Sequence, residues 1–384
     1  MPANRTGAGT RLLHIGPHKT GTSAIQGALF LARERLAAQG VVYPGQGRTI
    51  LWPILAVTGQ PPLLGEPTPK ISYWEDLTGQ IAATGDQRVV LSSEFFCQAD
   101  DATARRVVTD LGGDHVHVVV TLRSLTRILP SQWQQYVQNG FHFRYHEWLE
   151  GILSDPPLTP TPAFWLRHRH DELVARWAAV TGPENLTVIA VDESDRLMLL
   201  RVFETMLGLP EGFLVPEESA ANRSLAAAEA ELVRRLSQEF SRREWPQRNY
   251  SRFMRNGLIE QLKTGRQPGP DEPRIATPAW ALARAGQISA EMAANIDALG
   301  VNIVGDLSSL GKLPGEAAGP DARDAFATPM LPVEAAVGAT LGAFIAGGAG
   351  GQSAEEIVRD LDSKSLAKVL ARRGRQRLRR ALPG

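Results

Sequence analysis

The sequence predicts an α/β protein, a parallel β-sheet flanked by helices, with a helical extension at the C-terminus. Short, almost wholly apolar runs stand at 88–91 (RVVL), 116–122 (VHVVVTL) and 186–191 (LTVIAV). Runs of that length without polar alternation read as strands buried on both faces. Longer segments with apolar residues at helical spacing separate them, and strands alternating with helices pack as a covered parallel sheet. Lys19, Glu94 and Arg123 each fall just past a strand end, where such a sheet places its ligand.

Composition narrows the function classes. The 384 residues suit one large domain or two, and 43% apolar with 21% charged residues is the balance of an ordinary globular chain. Basic and acidic side chains number 41 each, so a basic site must be local and nucleic acid is not an expected partner. Cys97 is the single cysteine, which rules out an intrachain disulfide and fits a reducing compartment. Residues 1–10 lack an apolar core of the signal-peptide kind, so neither secretory signal nor anchor is expected and a cytoplasmic setting is. The Ala/Arg/Gly-rich composition points to a bacterial source.

The elements follow in order from residue 12. Leu12-Leu13-His14-Ile15 reads as a buried strand, and Gly16 to Ser23 as a turn-prone loop of small and hydroxyl residues. From Ala24 the spacing turns helical, with Ile25, Leu29 and Ala32 on one face. Strand, small-residue loop and helix form a phosphate cradle: the first N–H groups of the helix lack acceptors and the helix dipole favours an anion there. Gly21 permits close backbone approach and Lys19 adds a point charge. The order differs from GxxxxGK[ST], because the lysine precedes the Gly-Thr pair. A second constellation follows the strand 116–122, with Arg123 at its end and Ser131 eight positions later. An arginine fork matches phosphate oxygens at two points and a serine hydroxyl adds a donor. A strand-end arginine and an unrelated helical serine are the bland alternative.

These two constellations resemble those of sulfotransferases that use 3′-phosphoadenosine-5′-phosphosulfate (PAPS). Lys19-Thr20-Gly21-Thr22-Ser23 resembles their 5′-phosphosulfate loop, and Arg123 with Ser131 their 3′-phosphate clamp. Asp192 or Glu193 after the 186–191 strand, the Leu-Gly-Leu-Pro stop at 207–210, and Asn222-Arg223-Ser224 are similar to later family features. Arg255-Asn256-Gly257 is a faint match to a further phosphate clamp and lacks its lysine. The resemblance covers residues 11–312 and implies a P-loop-like sulfotransferase fold of the bacterial, cytosolic type. It implies PAPS as donor, no metal, and transfer to a hydroxyl or amine of a carbohydrate, lipid or small metabolite. Donor-binding residues would be His18, Lys19, Thr20, Gly21, Thr22, Ser23, Arg123 and Ser131. A non-catalytic anion-binding module is the alternative, and a P-loop kinase a more distant one.

The acceptor proton needs a base. Glu94 is favoured, because the family places a His or Glu there and Phe95 and Phe96 would partly desolvate its carboxylate. His18, inside the loop, is the competitor. His142 with His146 and His168 with His170 have metal-like spacing without a convincing third ligand, and read as surface or packing residues.

Beyond residue 312 the composition shifts. Residues 313–352, rich in Gly, Ala and Pro, read as a linker with one weak amphipathic turn rather than a membrane span. Residues 353–384 read as a basic helix and tail, opened by a capping box of Ser353 and Glu356. Its arginines read as a solvated end, with weak contact to an acidic membrane surface or anionic polymer as the sharper reading.

Overall fold

The computed structural model describes residues 5–62, 66–158, 160–161, 163–217, 223–313 and 330–347. Six strands form one sheet there: β1 (Arg11–His14), β2 (Val41–Val42), β3 (Arg88–Ser92), β4 (Val116–Leu122), β5 (Leu186–Ala190) and β6 (Asn302–Val304). Their order is β2-β3-β1-β4-β5-β6, and every pairing is parallel. The α/β class expected from the apolar runs is therefore the observed one. The connection after β1 runs to one side, to β2, and that after its neighbour β4 runs to the other, to β5. The carboxyl end of β1 is thus a topological switch point, the place where open parallel sheets form a crevice.

Two apolar cores flank this crevice. One surrounds the sheet, with Leu12, Leu13, Val118, Val120, Val188 and Trp177 at its centre. The other is helical and gathers Trp133, Tyr145, Trp148, Phe164, Tyr250 and Met292. The helix Leu125–Gln138 starts directly after β4 and drives its buried Leu129, Trp133 and Val137 into the helical core. One element thereby ties the layers together at the switch point.

Local differences from the sequence reading have physical causes. The helical spacing of Leu173 and Trp177 suggests one helix over 165–180, and the structure has two, Ala163–His168 and His170–Thr181, joined at Arg169. Ser224 is of a type that caps helices and would start one at Leu225, but the helix observed is Ala227–Arg242, and the Glu229 carboxylate accepts from the Ala226 N–H at its start. Asn222 and the basic segment 353–384 lie outside the described residues.

Within the stretch read as linker, Val333–Gly347 is a helix packed on the π-helix Tyr250–Ile259. Small residues make that packing. A Cβ on Gly257 would stand 2.7 Å from the Gly342 carbonyl oxygen and 2.9 Å from the Ala346 Cβ. Gly257 therefore serves a backbone crossing, which accounts for it without the faint phosphate-clamp reading of Arg255-Asn256-Gly257. No helix among the described residues is long and apolar enough to cross a membrane.

This crossing predicts a contrast between two glycines. Gly257→Ala should lower the unfolding free energy by about 1–3 kcal/mol, because the backbone opposite has to move. Gly338→Ala, in the docked helix with nothing within 4 Å of the added Cβ, should be neutral or stabilising by up to about 1 kcal/mol. Urea denaturation of both variants checks it; equal effects would show that the close approach is not maintained.

Candidate active site

A buried chain of hydrogen bonds sets the site. Thr20 Oγ1 donates to the Pro17 carbonyl at 2.7 Å and lies 2.8 Å from Thr121 Oγ1. Thr121 Oγ1 is 3.1 Å from His14 Nε2, and His14 Nδ1 is 2.8 Å from Ser92 Oγ. Counting protons fixes the direction. With the Thr20 proton on Pro17, Thr121 donates to Thr20 at 2.8 Å in preference to the Gly16 carbonyl at 3.3 Å, and His14 Nε2–H donates to Thr121. His14 Nδ1 then accepts from Ser92. Burial pushes the His14 imidazole down to about 3, so it is neutral, as this order requires. The chain joins the ends of β1, β3 and β4 and pins the loop Gly16–Gly21 between them.

The loop follows from that pinning. Gly16 has φ 80°, and a Cβ there would stand 2.9 Å from the Glu94 Cα, so only glycine lets the segment after β3 lie against it. Lys19 has φ 67°, an uncommon conformation for a side-chain-bearing residue and one that collects at functional sites. Gly21, with φ 108°, starts the helix Thr22–Leu31 and is packed by Leu199. At that N-terminus the Thr22 hydroxyl is buried without a partner. Ser23 is exposed, and its carbonyl accepts from Arg48 at 3.0 Å. Thr20 differs from its expected role, because its hydroxyl is consumed in the buried chain.

Lys19 Nζ donates to Gln135 Oε1 at 3.0 Å. Burial pushes its ammonium down to about 8, the neighbouring Lys263 charge adds to that, and Glu94 opposes it. Lys263, on the helix Glu260–Thr264, is lowered too, by burial first and against the pull of Glu260. A lysine whose charge is disfavoured by burial and by a second lysine marks a place where an anion is welcome. Sequence reasoning missed both partners. Gln135 sits among unassigned amides, and Lys263 is more than two hundred positions from the loop.

Arg123 and Ser131 lie at the same end of the sheet but are otherwise engaged. Arg123 Nε donates to Glu193 at 2.5 Å, and Arg127 Nε stands 3.2 Å from the same carboxylate. The Ser131 hydroxyl donates to the Ile128 carbonyl at 3.0 Å. Ser131 and Gln135 are four residues apart on one helix and so share a face, the face that reaches Lys19. Arg123 is thus held by a carboxylate that a phosphate would have to replace.

Glu94 opens the 3₁₀ turn Glu94–Gln98, where the Ser93 hydroxyl accepts from the Phe95 N–H. Gln26 Nε2 reaches Glu94 Oε2 at 3.4 Å and the Ser92 carbonyl at 2.9 Å. His18 stacks edge-on to Phe95 at 5.6 Å, and its Nε2 is shielded without a partner. Burial, then the charges of Arg167 and Lys19, hold the His18 imidazole well below its ordinary value. Both base candidates therefore flank the loop. The Cys97 thiol beside them is pushed up to about 12 by burial and is not a nucleophile. His168 and His170 are fully buried, and among the described residues no group of three or more His, Cys, Asp or Glu stands together as metal ligands.

Comparison adds a partial likeness. No protein-family model matches the chain, and no curated protein matches it. Among solved structures it is similar to the crystal structure of a sulfotransferase from Alicyclobacillus acidocaldarius. That likeness has 18% identity, covers 61% of this chain and 94% of the other, and has a TM-score of 0.39. The functional reading stands on this chain's own residues.

Two expectations follow from the geometry. Thr121→Val removes the middle of the buried chain and strands Thr20 and His14, so stability should fall by about 1–3 kcal/mol; an unchanged urea midpoint would show the chain to be dispensable. Lys19 has the lower proton affinity in the folded protein, so its charge is present below about pH 8 and lost above it. Affinity for an anion such as sulfate should therefore fall between about pH 7 and about pH 9, and Lys19→Met should weaken binding and flatten that dependence. Calorimetry reads both; a wild-type affinity independent of pH would place Lys19 away from the ligand.

Proposed function

We propose that this chain is a PAPS-dependent sulfotransferase acting on a hydroxyl or amine. The observation that carries the reading is the loop itself. It holds a lysine in the left-handed region with its ammonium pushed down to about 8, beside a buried, unpartnered threonine hydroxyl at a helix N-terminus. The order Lys19-Thr20-Gly21-Thr22-Ser23, with the lysine ahead of the glycine, favours a phosphosulfate loop over a kinase loop.

The residues fit an anionic donor. The Thr22 hydroxyl and the first-turn N–H groups can receive phosphate oxygens. Lys19 and Lys263 supply the positive field, and Ser131 lies on the helix face that carries Gln135. Arg123 would serve the 3′-phosphate by exchanging Glu193 for it. PAPS, when bound, supplies an activated sulfuryl group. The acceptor oxygen forms the new bond to sulfur, the bond from sulfur to the 5′-phosphate oxygen breaks, and the hydroxyl proton passes to a base. Lys19 stabilises the charge that gathers on the departing phosphate oxygen, exchanging Gln135 for that contact.

Glu94 is the proposed base. It packs against Gly16, acts electrostatically on Lys19, and its carboxylate is oriented by Gln26. His18 is a weaker proton acceptor, because burial and two neighbouring cations oppose its protonation.

Glu94→Gln keeps the shape and removes the charge. Turnover of PAPS should fall by about 10²–10⁴ while 3′-phosphoadenosine-5′-phosphate affinity stays near wild type. His18→Ala should cost less. Transfer of labelled sulfate from PAPS to acceptors in a cell extract supplies the assay. Near-normal turnover in Glu94→Gln, with a dead His18→Ala of intact donor affinity, would reverse the two roles. Absence of both transfer and 3′-phosphoadenosine-5′-phosphate binding in the wild type would overturn the function.

A further inference from the structure

Beside the Lys19 loop lies a group of polar side chains that the transfer chemistry leaves unused. Arg167, on the helix Ala163–His168, donates from Nη2 to Gln98 Oε1 at 3.1 Å. The Arg167 Nε and the Gln98 amide nitrogen are both shielded from solvent without a partner. So is the Gln132 carbonyl oxygen, one helical turn before Tyr136 on the helix Leu125–Gln138. Tyr136 has Arg167, Gln132 and Thr161 as its polar neighbours. Arg167 acts electrostatically on His18 inside the loop, so the group adjoins the site of transfer. Native proteins leave few buried polar groups unsatisfied. Here three, from three separate elements, converge around Tyr136.

Their chemistry specifies a ligand. The Arg167 fork with the Gln98 amide matches a carboxylate at two or three points. Gln132 Oε1 can only accept and asks for a hydroxyl from the ligand, whereas Tyr136 can donate or accept. Aromatic rings continue the wall: Phe141 is 5.9 Å from Tyr136 and stacks on Phe143 at 5.2 Å, and Phe143 is exposed. A sugar ring can lie its apolar face on such rings while its hydroxyls and acid group meet the polar atoms. A phenol or a lipid would leave the arginine and both amides unpaired.

We propose that this cluster is the acceptor pocket, and that its acceptor class is a sugar carrying a carboxylate. The proposal rests on the sulfuryl-transfer reading for the word acceptor, but its ligand chemistry rests on Arg167, Gln98, Gln132 and Tyr136.

Titration calorimetry of the full chain tests it with D-glucuronate, D-glucose and 4-nitrophenol, each with and without 3′-phosphoadenosine-5′-phosphate. D-glucuronate should bind about tenfold or more tighter than D-glucose, the worth of one charged hydrogen-bonded contact. Arg167→Met should remove that preference and keep 3′-phosphoadenosine-5′-phosphate affinity, and Tyr136→Phe should weaken both sugars. Equal binding of the two sugars by wild type, tighter binding of 4-nitrophenol, or a preference that survives in Arg167→Met would each overturn the proposal. The wild-type comparison decides even where a variant fails to fold. D-glucuronate preference without any 3′-phosphoadenosine-5′-phosphate binding would uphold the pocket and remove the donor reading. Donor binding without sugar preference would do the reverse.

Discussion

The proton order of one buried hydrogen-bond chain governs the site. Each hydroxyl between Ser92 and Pro17 has a single proton, and the Pro17 carbonyl can only accept. The order Ser92 to His14 to Thr121 to Thr20 to Pro17 runs these links in one direction, with the Gly16 carbonyl, 3.3 Å from Thr121 Oγ1, as a second and longer acceptor. A charged His14 would donate from both nitrogens and set the Ser92 link against the others; burial prevents that. With the chain closed, three strand ends are fastened to the loop. Lys19 then lies between a pinned Thr20 and a pinned Pro17, and its left-handed conformation is held by neighbours that cannot yield.

Charge placement builds on this frame. The chain has no net charge, yet its cations are unequally satisfied. Arg223 and Arg266 share the fully buried Glu229, and Arg123 and Arg127 share Glu193. Lys19 is bonded to a neutral amide instead, with Lys263 near enough to push it down. A loop that costs free energy to keep charged gains most when an anion arrives, because the field that penalises the lysine then becomes attractive. The local excess is invisible in the overall balance of 41 against 41 and arises only when residues from three elements meet.

How much of this was legible in the sequence depends on the range of the interaction. The apolar runs gave the parallel sheet, and the loop gave its strand, its glycine and its lysine, because those signals are local. Glu94 was placed by a strand end, and it does lie against the loop. The hydroxyl of Thr20 looked like a free donor because Thr121, its partner, is a hundred positions away in the middle of an apolar run. Arg123 looked free because a sequence shows a strand end but not the Glu193 that meets it from the next strand's loop. The helix Val333–Gly347 read as linker because its packing comes from small side chains and a close backbone approach to Gly257, which leave little hydrophobic signature. Lys263 and Arg167 carried no local signal at all.

One helix relates the donor cradle to the proposed acceptor pocket. Successive residues of an α-helix are turned by about 100°, so residues four apart nearly superpose. In Leu125–Gln138 that rule gives four stripes, three of which bear on the site. Leu129, Trp133 and Val137 enter the helical core and fix the rotation of the whole element. Ser131 and Gln135 then occupy the stripe that meets Lys19. Gln132 and Tyr136, one residue further round, occupy the stripe beside Arg167. The angle between donor side and acceptor side is thus a property of the backbone, held by core burial on the third stripe. Pro130 stands inside this helix and has no N–H for the Thr126 carbonyl, so the helix continues through it at the cost of one backbone hydrogen bond. The same burial that holds the two layers together sets the angle between Lys19 and the proposed acceptor pocket.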